Sequence, residues 1–288
     1  MDIASFLGAL ALAASIYFLY YQYWGLLTAA AQVTLLVTAS VGSFAGTVWL
    51  QRRDTTGYFN KLAALVAFVC FVLNIAMLGQ IFNVTPSDRA LAPWAAFAFL
   101  LAYTADLRLL LVAGMVCVVM FLASRTGALS GALWSEFSHR PENFFPAAIA
   151  LWLVPRLVDH RRFSGFASTF RVCALLTLFF PVLILANSAE MSYLEMDPDL
   201  VKPLYQMLGF AGSAAAVWFG IRRHWPEVVT TGVVIFVVFL GNKFFDWWWD
   251  TMPKYLFFLV LGLTALLFLN VLNRLRVLGS GAKEGTAP

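Results

Sequence analysis

The chain has 288 residues, 61% of them hydrophobic and 16% aromatic, with 12% charged and a formal net charge of +4. A soluble domain carries about 25% charged residues, so this composition excludes a water-soluble fold, a disordered chain and a nucleic-acid-binding module. With 3 cysteines a disulfide scaffold is excluded as well.

Apolar runs predict about ten membrane-spanning helices, over residues 3–24, 26–50, 62–84, 91–105, 107–129, 145–158, 168–187, 206–221, 228–248 and 255–273. Without water in the bilayer core each run must satisfy its own backbone, which makes it a helix. No alternation of the kind a membrane β-barrel needs is visible. The first run lacks a basic leader and is too long for a cleavable signal, so it is expected to stay as a helix. Two runs, 91–105 and 145–158, fall short of the roughly 17 residues usually needed to span.

The third run reads CFVLNIAMLGQIFNV and places Asn74, Gln80 and Asn83 among apolar residues. Gln80 and Asn83 lie three apart, on one helical face, and Asn74 is rotated away from them. Polar groups at membrane depth are costly, so they mark either helix-packing contacts or a solute or lipid-headgroup contact. In the third inner turn Asp159 and His160 lie in PRLVDHRR, which reads as an anchor for lipid headgroups. The outer loop SAEMSYLEMDPDLVKP carries Glu190, Glu195, Asp197 and Asp199, a solvated acidic loop whose D-x-D spacing could also hold a divalent ion. Small residues Gly209, Gly212 and Ser213 to Ala216 form a face suited to docking another helix. The ninth run ends in GNKFFDWWWDTMPKY, where Lys243, Asp246 and Asp250 share a helical face beneath an interfacial tryptophan belt.

With ten spans, Arg52, Arg53, Lys61, Arg108, Arg156, Arg161, Arg162, Arg171, Arg222, Arg223, Arg274, Arg276 and Lys283 share a side with both termini, 13 of the 19 Lys and Arg. The positive-inside rule makes that side the cytoplasm. Residues 1–278 read as one integral membrane domain and 279–288 as a flexible tail. Basic groups recur at inner turns, Arg52, Arg108, Arg161 and Arg222, a faint hairpin repeat that any polytopic protein can show.

Cys70, Cys117 and Cys173 lie inside spans without C-x-x-C spacing, and His139, His160 and His224 are isolated in sequence, so no metal site is expected. P-loop, G-x-G-x-x-G and G-x-S-x-G motifs are absent, so no cofactor and no catalytic residue is assigned.

The stretch Leu78–Val84, LGQIFNV, resembles a family of bacterial predicted membrane proteins classed as a domain of unknown function. Its members place a G-Q-I-[YF]-N motif at the end of an early helix and follow it with a tryptophan-containing helix, here with Trp94. The run Asn242–Arg276 resembles the family's closing pair of helices. Family members often begin with a short cytosolic helical segment, and this chain opens almost directly on an apolar run. The resemblance implies a multi-pass bacterial inner-membrane protein and carries no activity.

The expectation is an all-α polytopic bundle that contacts membrane lipids and binds or transports a small solute or lipid. Its candidate polar cluster is Asn74, Gln80, Asn83, Lys243, Asp246 and Asp250. The alternatives are a structural or sensory subunit beside a membrane protein partner, and a lipid-modifying enzyme using Asp197, Asp199 or His139.

Overall fold

The computed structural model describes residues 22–53, 58–83, 88–129, 140–160, 162–163, 165–194 and 196–248, with Phe18, Pro253, Tyr255, Leu256, Leu259, Gly262 and Leu263. Among the described residues every regular element is helical: α1 Ala29–Arg53, α2 Tyr58–Ile81, α3 Leu91–Ala105, α4 Arg108–Leu129, α5 Phe145–Leu157, α6 Phe166–Asn187, α7 Pro198–Arg222 and α8 Pro226–Trp248. The contacts divide the chain into two compact units, unit 1 from Met1 to Pro181 and unit 2 from Val182 to Pro288.

Unit 1 is a run of hairpins. α1 packs on α2, α2 on α3, α3 on α4 and α4 on α5. The α3–α4 turn is two residues long: Asp106 takes the left-handed conformation, φ 48, and the Leu107 N–H reaches back to the Ala102 carbonyl at 3.1 Å. The core gathers Ala64 and Ala67 of α2, Leu101 and Ala102 of α3, Leu110, Leu111 and Met115 of α4, Leu151 of α5, and Phe166 and Phe170 of α6. Alanines on α2 and α3 let those backbones approach, and the larger residues of α4 and α6 fill the space that leaves.

In unit 2, α7 and α8 form a second hairpin. Asp197 caps α7, its carboxylate accepting the Asp199 N–H at 3.1 Å with Pro198 following as first helical residue. α7 therefore starts eight residues before the expected 206, because a polar capped turn is invisible to a search for apolar runs. Gly209 lies under the Phe239 ring, and Gly232 lies against Val217 and the Ser213 carbonyl. A side chain at either glycine would push the helices apart.

Among the described residues six helices are long and apolar enough to cross a membrane: Ala29–Trp49, Phe59–Ile81, Arg108–Gly127, Phe166–Asn187, Pro198–Arg222 and Pro226–Phe244. Their outward faces carry large apolar residues such as Leu35, Val41, Val66, Leu73, Val116, Phe180, Met207 and Val234, the pattern of a lipid-facing surface. The runs at 91–105 and 145–158 form helices of 15 and 13 residues, below that length. The expected spans 3–24 and 255–273 lie almost entirely outside the described residues.

Candidate functional site

Asn74 is buried in the α1–α2 contact. Its amide nitrogen donates to the Leu36 carbonyl at 2.9 Å and to the Ser40 hydroxyl at 2.8 Å, and the Ser40 hydroxyl donates on to the Cys70 carbonyl at 3.4 Å. This is interhelical bonding of the kind that holds membrane helices together. Gln80 is exposed on the last turn of α2. Asn83 does not continue that helical face: α2 ends at Ile81, and Asn83 stands beyond it in the left-handed conformation, φ 52, with its N–H donated to the Gln80 carbonyl at 3.2 Å. Asparagine tolerates this conformation better than most residues, which makes Asn83 a helix-stop signal inside an apolar context.

The same end of unit 1 holds a buried carboxylate. Asp88, in the 3-10 turn before α3, accepts from the Arg125 Nε at 3.1 Å, and the Ser124 hydroxyl lies 3.1 Å from the same oxygen. Arg125 is half-exposed, its guanidinium carbon 5.2 Å from the centre of the Phe121 ring. Trp94, on the first turn of α3, is half-buried, and its indole nitrogen is buried without a hydrogen-bond partner.

The opposite end of unit 1 is built by the α3–α4 turn and the loop between α5 and α6. His160, isolated in sequence, is 6% exposed. Its Nδ1 lies 2.8 Å from the Val158 carbonyl, which can only accept, so Nδ1 carries the hydrogen. Its Nε2 meets the Tyr103 hydroxyl at 2.8 Å. Phe163 and Phe166 pack edge-on against Tyr103, with ring centres 5.0 and 5.2 Å away. Arg108 crosses from the turn to the loop and lays its guanidinium on Gly165, which has φ 84. Tyr103 and His160 stand 57 residues apart in sequence, a distance no local motif can bridge.

Unit 2 gathers amides from three helices. The Asn242 side-chain amide of α8 donates to Asn187 Oδ1 of α6 at 2.9 Å, the Asn187 side-chain amide donates to the Leu183 carbonyl at 2.9 Å, and the Gln206 side-chain amide of α7 donates to the Ala186 carbonyl at 3.2 Å. Lys243, half-buried, follows Asn242 directly on α8. The Asp246 side chain, Asp250 and His139 lie outside what is described. Sequence reading singled out Lys243 and passed over Asn187, Gln206 and Asn242, each a lone amide in an apolar stretch. The small-residue face is partly spent within the chain, since Gly209 and Ser213 are buried and the α8 residues Phe239 and Gly232 lie against them. Asp197 serves as the α7 cap.

Residues 1–111 match one family model. It is described as "Predicted membrane protein (DUF2157)", a domain of unknown function, and the match covers α1, α2 and α3, including LGQIFNV and Trp94. No curated protein and no solved structure matches the chain. The chain is thus similar, over its first 111 residues, to membrane proteins of unknown function.

Proposed function

We propose that this chain is a multi-pass protein of a bacterial inner membrane, with both termini cytoplasmic and 1–278 as one membrane domain, that binds a small polar solute or a lipid headgroup. On this reading α3 and α5 also span, and Lys243 is the central contact of the site. The observation that supports it is the bonding of Asn187, Gln206 and Asn242 from three helices, with Lys243 following Asn242 on α8. Amides and an ammonium next to a tryptophan belt are costly in lipid unless they bond to one another or to a ligand. The side-chain amide oxygens of Asn242 and Gln206 and the Lys243 amine together offer acceptors and donors, the mixed set that a hydroxylated or zwitterionic ligand needs. Gln80 and Asn83 supply a second set of exposed amides in unit 1, and Asp246 and Asp250, three and seven residues after Lys243 in the sequence, belong to the proposed set. Transport of the bound species is the functional extension of this reading.

Native mass spectrometry of the full chain, released gently from its own membrane, tests it. The wild type is expected to retain a defined small ligand or lipid that both Asn242→Leu and Lys243→Ala lose while keeping the wild-type melting temperature within a few degrees. The same adducts on all three proteins, or none on the wild type, would refute the proposal.

A further inference from the structure

We infer that the end of unit 1 formed by the α3–α4 turn and the α5–α6 loop binds the phosphate group of an anionic lipid. The site is separate from the unit 2 amides and does not depend on them. The loop is fixed from within: His160 ties it to its own backbone at Val158 and to Tyr103 of α3, both at 2.8 Å. Arg108 ties the turn to the loop by resting on Gly165, and a Cβ there would collide with the Nη2, Cζ and Nε atoms of that guanidinium. Arg156 on the last turn of α5 and Arg162 in the loop flank the buried histidine, and both are exposed. Arg171, half-buried, stands on the second turn of α6. Against Arg108, Arg156, Arg162 and Arg171 this end sets the acids Asp106 and Asp159, a local excess of positive charge.

The chemistry beside these cations selects the source of the phosphate. Leu109 follows Arg108 and is 59% exposed, and Leu157 and Val158 follow Arg156 at 80% and 49% exposed. Arginine forks suit a phosphate, and apolar side chains open to the outside beside them suit an acyl chain. A free phosphate would use only the first of these features, whereas a phospholipid uses both. Each basic residue near an anionic membrane surface contributes about 1 kcal/mol.

The test titrates the full chain, purified in detergent, with phosphatidylglycerol, phosphatidylcholine or inorganic phosphate, and compares wild type with Arg156→Gln/Arg162→Gln and with Arg222→Gln/Arg223→Gln. The second variant removes the same charge from unit 2, where those arginines lie over the Trp218 and Phe219 rings. All four positions are exposed, so both variants are expected to fold, with circular dichroism as the check. Phosphatidylglycerol should bind the wild type and the Arg222/Arg223 variant within threefold of each other. Removal of Arg156 and Arg162 should weaken it about thirtyfold, with phosphatidylcholine and inorganic phosphate binding at least tenfold more weakly than phosphatidylglycerol throughout. Equal losses in the two variants would mean diffuse attraction of charge, equal binding of inorganic phosphate would mean a soluble anion, and either would overturn the inference.

Discussion

Asp88 and Arg125 show how much the surroundings of an ion pair decide its worth. Asp88 is buried and Arg125 is half-exposed, so the two partners are not equivalent. Without Asp88, Arg125 turns to solvent or headgroups and Ser124 keeps the Phe121 carbonyl, 2.8 Å away. Without Arg125 a buried carboxylate loses its guanidinium partner, and removing one partner of a buried pair costs about 3–5 kcal/mol when the charge left behind cannot escape. Arg125→Ala is therefore expected to destabilise the protein by at least about 1 kcal/mol more than Asp88→Ala, with the double variant close to Asp88→Ala alone. Denaturant unfolding in a mild detergent checks this, and equal losses for the two single variants would contradict it. The Asp88–Arg125 pair escapes sequence reading, because a pairing across 37 residues leaves no local pattern. Asn74 was legible, since an amide in the middle of an apolar run stands out against its neighbours. Asn83 was legible as polar and misread as helical, because a left-handed stop differs from a helical residue only in backbone conformation.

At the scale of the element, glycine divides into two kinds. Gly209 sits under the Phe239 ring, while Gly42 on α1 has open space where a side chain would go. An added methyl at Gly209 overpacks the α7–α8 contact at a cost of about 1–3 kcal/mol, and the same change at Gly42 improves helix propensity without a clash. Melting temperature should fall for Gly209→Ala and stay level or rise for Gly42→Ala. A common response would mean that the α7–α8 approach is not what Gly209 serves. The apolar runs revealed the long helices because hydropathy is a local property. It could not fix the α7 start, where Asp197 and Pro198 set the cap, nor tell that Gly209 and Ser213 face α8 rather than a partner. The flanking 3-10 turns lengthen the short helices: α3 rises about 22 Å and α5 about 20 Å at 1.5 Å per residue. The turns Asp88–Ala90 and Pro141–Phe144 add about 6–8 Å to each at 2 Å per residue. Both then approach the roughly 30 Å of a hydrocarbon core.

At the scale of the molecule, the membrane character follows from composition and from the six long apolar helices among the described residues, with their apolar outer faces. Function follows from the exceptions, the few polar groups that assemble only in three dimensions. Within unit 1 those exceptions separate to two ends: Asp88, Ser124 and Arg125 at one, Tyr103, Arg108, His160 and the flanking arginines at the other. The central claim is that these ends face opposite sides of a bilayer, with the arginine-rich end in the cytoplasm. Labelling of single introduced cysteines by a membrane-impermeant thiol reagent, on intact cells and on inverted vesicles in a background with Cys70, Cys117 and Cys173 replaced, tests it most directly. Asp106→Cys should react only in inverted vesicles and Arg89→Cys only in intact cells. Reaction of both from the same side would contradict a spanning α3 and, with it, the placement of both sites.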